Sequence, residues 1–122
     1  MSWEPLRPGV YRGTDQPTIS IQKSGAVTWN QAAHRALDSP EEVEILIDQK
    51  NGLLALRKGT DSENAFRVRK LGPQNTWIAS ARGALRRVGL LPETAYRRVA
   101  RQEDGMLVID VSDLLQRGRR RG

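Results

Sequence analysis

A chain of 122 residues with 20 basic and 14 acidic side chains, a formal charge of +6 and 38% hydrophobic residues can bury one modest core, and is too short for a large enclosed active site. It has no cysteine and a single histidine, which excludes disulfides, thiolate zinc sites and multi-histidine metal centres, and no cofactor is expected. No run approaches the roughly 20 apolar residues of a membrane span and the first residues lack a signal-peptide core, so the expectation is a cytoplasmic protein without a membrane partner.

Residues 1–17 read as an N-terminal extension, 18–115 as a single α+β domain and 116–122 as a disordered arginine-rich tail. From Thr18 the apolar positions alternate: Ile19 and Ile21 face one way, Ser20 and Gln22 the other, and Val27 and Trp29 resume the apolar face after the Ser24-Gly25 turn. Asn30 is a fitting N-cap for a short helix over Gln31 to Leu37, in which Ala33 and Leu37 share a face, and Ser39-Pro40 ends it. Val43, Ile45 and Ile47 then alternate with Glu44, Leu46 and Asp48, and Asn51-Gly52 supplies the positive-φ turn of a second hairpin that returns through Leu53 to Arg57.

This hairpin, helix, hairpin unit, with Lys23, Gly25, Val27, a helix ending at Leu37 and paired strands at Val43–Ile47 and Leu53–Leu56, resembles the swapped-hairpin DNA-binding domain of the AbrB and SpoVT transition-state regulators. The resemblance covers residues 18–57. It implies a homodimeric DNA-binding protein acting in transcription regulation. The chain departs from the family pattern at Ala26, where the turn arginine is expected, and at Asn30, where a proline opens the helix. As a whole the chain is also similar to small uncharacterised actinobacterial proteins, which implies no activity.

Beyond the unit, Ala65 to Val68 read as a further strand after an acidic loop at Asp61-Ser62-Glu63-Asn64. Trp77, Ile78, Ala81, Leu85 and Val88 are spaced as one face of a helix capped by Asn75 or Thr76, with Arg82, Arg86 and Arg87 on another face. Thr94 to Gln102 and Met106 to Val111 are assigned to a C-terminal hairpin around Glu103-Asp104-Gly105, with Tyr96, Arg98 and Ala100 on one side and Arg97, Val99 and Arg101 on the other. Ser112 to Leu115 add a terminal turn.

Residues 1–81 carry 10 basic and 9 acidic groups and residues 82–122 carry 10 and 5, so the C-terminal third supplies most of the net charge. Arginine makes up 16 of the 20 basic residues, which suits planar contacts to phosphate or carboxylate. The expected function is non-enzymatic nucleic-acid binding, to DNA in preference to RNA. Lys23, Arg82, Arg86, Arg87, Arg97, Arg98, Arg119, Arg120 and Arg121 are the expected phosphate contacts, and Gln22 or Asn30 the candidates for base reading. The alternative is a protein-interaction or assembly module that offers a hairpin edge and a basic surface to an acidic protein.

Other candidates have plainer readings. His34 is taken as a surface or half-buried helix residue, and Glu41, Glu42, Glu44 and Asp48 as a solvated strand edge. Trp29 and Trp77 fall on apolar faces, leaving Trp3 as the tryptophan free to stack on a base. No nucleophile, base or ligand set converges by spacing, so no enzyme is expected.

Overall fold

The computed structural model describes residues 16–60, 63–72 and 75–115; residues 1–15 of the N-terminal extension, Trp3 among them, and the tail with Arg119, Arg120 and Arg121 lie outside them. It is a mixed α and β structure dominated by strands. β1 (Thr18–Ile21), β2 (Ala26–Asn30), β6 (Arg69–Lys70), β7 (Thr76–Ser80) and β8 (Tyr96–Val99) form one antiparallel sheet in the order β6-β7-β2-β1-β8. β3 (Glu42–Asp48), β4 (Leu53–Lys58), β5 (Ala65–Arg67), β9 (Arg101–Glu103) and β10 (Met106–Asp110) form a second, in the order β5-β3-β4-β10-β9. Two six-residue helices, α1 (Gln31–Ala36) and α2 (Arg82–Arg87), and a helical turn over residues 112–115 complete the described chain.

The two sheets share both margins. β5 runs into β6 through Val68, and β8 runs into β9 through Ala100, so the edge strand of one sheet becomes the edge strand of the other. Strands that bend from sheet to sheet are how a sandwich turns its corners, and here they close it into a flattened barrel. Ala100 is buried and its N–H donates to the carbonyl of Pro17 at 2.8 Å, an interruption of the β8–β9 strand.

Side-chain alternation fills the interior. Ile19 lies opposite Trp29 and Ile21 opposite Val27 in the first sheet, while Leu56 and Leu107, then Leu54 and Ile109, are paired in the second. All eight side chains are nearly inaccessible and belong to one cluster with Leu85, Leu90 and Val111. Asn30 caps α1 as expected: its Oδ1 accepts the N–H of Ala33 at 3.0 Å and that of Thr18 at 3.1 Å. The helix stops where Asp38 and Ser39 both take positive φ before Pro40.

Two expectations are corrected. The helix over Trp77 to Val88 is a strand followed by a short helix: Thr76 to Ser80 pair residue for residue with β2, Trp77 opposite Trp29, and only Arg82 to Arg87 are helical. Aromatic and β-branched residues at 76–78 suit the pleated edge that β2 leaves open on its far side, and that pairing outweighs the 3.6-residue spacing. The C-terminal hairpin is also divided, since β8 pairs with β1 in the first sheet and only β9 pairs with β10 across the Asp104-Gly105 turn.

Candidate nucleic-acid interface

The fold sorts charge by layer. Residues 16–30 and the described part of 68–99 build the first sheet and α2, and they hold Lys23, Arg69, Lys70, Arg82, Arg86, Arg87, Arg97 and Arg98 with Glu93 as their sole carboxylate. All eight cations are exposed. The second sheet and its connections hold Glu41, Glu42, Glu44, Asp48, Glu63, Glu103, Asp104, Asp110 and Asp113 against Lys50, Arg57, Lys58, Arg67 and Arg101. The described molecule thus has a basic layer and an acidic one.

Helix α2 is fixed to the β1–β2 turn by a close approach. Gly25 has φ +90°, and a Cβ there would stand 2.5 Å from Cα of Arg82. The N–H of Ala81 donates to the carbonyl of Gly25 at 3.0 Å, and Nη1 of Arg82 reaches the carbonyl of Ser24 at 3.4 Å. Lys23 and Arg82 are therefore neighbours at one end of the first sheet, brought together from positions far apart in the chain.

Across the outward face of that sheet, the register sets Arg69, Ile78, Thr28, Ser20 and Arg97 in one row, with the two arginines at its ends about 19 Å apart at about 4.8 Å per strand. Arg97 borders a shallow polar hollow of about 150 Å³ with Thr18, Ser20, Thr28, Asn30 and Thr76 among its walls. Arg98 points to the other face. It lies 3.9 Å over the ring of Tyr96 and pairs with Asp113 at 3.6 Å, so it is tied into the fold.

Arg69 and Lys70 were missed as site residues because their chain position, beside a strand assigned to the 18–115 body, does not reveal that β6 joins the basic sheet. Of the two base-reading candidates, Asn30 is engaged at both ends of its amide and Gln22 at its nitrogen. Asn30 spends Oδ1 on two backbone N–H groups and donates Nδ2 to the carbonyl of Gln16 at 2.9 Å, while Gln22 Nε2 donates to Thr28 Oγ1 at 3.3 Å.

His34 is buried rather than superficial. Its ring stacks on Trp77 with centroids 3.9 Å apart, and its Nδ1 accepts the indole N–H of Trp29 at 3.2 Å, which leaves its ring proton on Nε2. Burial lowers its pKa below the usual imidazole value. Glu44 corrects the solvated-edge reading of its cluster: it is 6% exposed and accepts two hydrogen bonds from Arg57, of 3.1 and 3.2 Å. Among the described residues no three histidine, cysteine or carboxylate side chains come together as a metal site, and no helix is long and apolar enough to cross a membrane. Compared with protein-family models, curated proteins and solved structures, the chain matches none.

Proposed function

We propose that the protein is a non-enzymatic nucleic-acid-binding protein that meets duplex DNA with its basic layer, the first sheet and α2. The observation that carries this reading is the segregation of charge between the two layers, with eight exposed cations and a single carboxylate among the described residues of one of them. Such a surface draws a polyanion and releases its counterions, so affinity falls steeply with salt. The outward row between Arg69 and Arg97 contains hydroxyls and no aromatic ring, whereas Trp29 lies in the core and Trp77 stacks on His34. Phosphate contacts along a double strand fit that composition better than the base-stacking platform a single strand requires. A homodimer, which doubles the basic surface, and a role in transcription regulation belong to the same proposal and draw on the resemblance of residues 18–57.

The test is binding of fluorescent duplex DNA, single-stranded DNA and RNA across a salt series, with three proteins of known Tm. Full-length chain is compared with a triple variant, R82A, R86A and R87A, and with K50A/K58A, which removes charge from the acidic layer. Duplex binding that weakens with salt, is lost in the triple variant and persists in K50A/K58A supports the reading. Absence of binding at low salt, or equal losses in both variants, overturns it.

A further inference from the structure

The outward face of the first sheet has a recess lined by uncommitted hydroxyls. Thr18 and Ser20 project to that face from β1, and the register sets Thr28 and Arg97 on either side of Ser20, with Thr76 opposite Asn30. Among the described residues no hydrogen bond engages the hydroxyls of Thr18, Ser20 or Thr76, and that of Thr28 accepts from Gln22 and keeps its own proton to donate. Thr18 is nevertheless only 7% exposed. Its oxygen is not sealed in the interior, so it opens onto the hollow of about 150 Å³ that these residues line.

The hollow carries one charge. Arg97 stands at its border, no described carboxylate lines it, and no ion pair engages that guanidinium among the described residues. Asn30 contributes shape alone, because its amide is taken up by backbone groups. Thr18 and Ser20, two residues apart on a strand, are separated by about 7 Å, so their O–H groups can reach one tetrahedral anion from two sides. Beyond the hydroxyls the wall turns apolar, with Val99 opposite Thr18 and Ile78 opposite Thr28.

We infer that this hollow seats a single phosphodiester group of a nucleic-acid backbone. Arg97 pairs with its non-bridging oxygens, the hydroxyls of Thr18, Ser20 and Thr76 donate to them, and the sugar carbons on either side rest against Val99 and Ile78. Neutral donors around one guanidinium select a monoanion: a diester balances Arg97 charge for charge, whereas a dianionic monoester leaves charge uncompensated over the recess. The apolar rims favour a diester too, since a free phosphate has no carbon to set against them. The source of the diester rests on the proposed duplex reading, and the chemistry of the seat does not.

The probe is dimethyl phosphate, titrated into the isotope-labelled full chain and followed by NMR, with inorganic phosphate and sodium chloride at matched ionic strength as comparisons. Dimethyl phosphate should give saturable shifts at the amides of Ser20 and Thr28 and at the Nε–H of Arg97 that chloride does not reproduce. R97Q should weaken this binding about tenfold, as the loss of a charged hydrogen bond does, and S20A/T76V about fivefold, both with Tm unchanged. K50A/K58A should leave it as it is. No saturable shift, the same shifts with chloride, or unaltered affinity in R97Q overturns the seat, and tighter binding of inorganic phosphate than of the diester overturns its assignment to a backbone group. Duplex titration of the same samples separates the two readings. A chain that binds duplex without responding to dimethyl phosphate at Ser20 loses the seat and keeps the DNA surface; one that responds but binds no duplex keeps the seat's chemistry and loses DNA as its source.

Discussion

Trp29 donates its indole N–H to Nδ1 of His34 across 3.2 Å, joining β2 to the helix that follows it. Trp77 from β7 closes the other side of the imidazole at 3.9 Å, and Nζ of Lys70 lies 5.8 Å from that indole. The histidine is thus held neutral, as a hydrogen-bond acceptor, at the junction of three elements.

Its lowered pKa makes stability depend on pH. In the window between the depressed folded value and the ordinary value of about 6.5 the unfolded chain binds the proton and the folded one does not, so stability rises with pH. The contribution is fully present above about pH 7.5 and is lost as pH falls through 6.5 toward the folded pKa. Urea midpoints should drop between pH 7.5 and 5.5 for the natural chain, and the drop should shrink in H34Q. An unchanged pH profile in that variant would remove His34 as the source.

Gly25 and Gly105 both adopt positive φ, +90° and +78°, but only one of them is approached by another element. An added methyl at Gly105 meets nothing within 4 Å, whereas at Gly25 it meets the backbone of Arg82 at 2.5 Å. G105A should therefore cost about 1 kcal/mol, the ordinary strain of a side chain in that conformation. G25A should cost about 3 kcal/mol, because α2 must shift as well. Equal losses in chemical denaturation would show that the α2 contact carries no weight.

Much of residues 18–57 was legible because its signals are local: alternation at Ile19 and Ile21, the Asn30 cap, the Asn51-Gly52 turn. What lay hidden was partnership. Trp77, Ile78, Ala81, Leu85 and Val88 satisfy a helical period, and only the open side of β2 decides that the first two belong to a strand. Nothing local says that the chain changes sheets at Ala100, or that Arg69 and Lys70 join the layer of Arg82 and Arg97. Glu44 alternates outward as a solvated carboxylate would, and the register sets Arg57 directly opposite to cover it.

That pair yields a third prediction. Glu44 is buried while the Arg57 side chain is 44% exposed, so the carboxylate depends on the guanidinium more than the reverse. R57M strips the carboxylate of this partner and should destabilise the fold by about 1–2 kcal/mol, the usual range for an under-satisfied charge discounted for solvent access. E44M/R57M replaces both by apolar groups and should recover most of the loss. A double-mutant cycle by urea unfolding measures the coupling, and additive single losses would deny it.

Arg97 and Arg98 are consecutive on β8, and alternation sends them to opposite faces with opposite commitments. Arg97 borders the hydroxyl-lined hollow of the outward face, and no ion pair engages it among the described residues. Arg98 stacks on Tyr96 and reaches Asp113, joining β8 to the helical turn at residues 112–115. If the outward face is the one that meets phosphates, R97A should leave Tm within a degree or two and lower the slope of log affinity against log salt by about 1, because one phosphate is no longer neutralised by the protein. R98A should do the reverse: a stability loss of about 1 kcal/mol from the stacked, partly paired guanidinium, and a salt slope close to that of the natural chain. Both quantities come from the same purified variants, by thermal unfolding and by duplex titration at several salt concentrations. Equal changes in slope for the two variants would mean that the DNA-binding surface wraps the β8 edge and is not confined to the outward face.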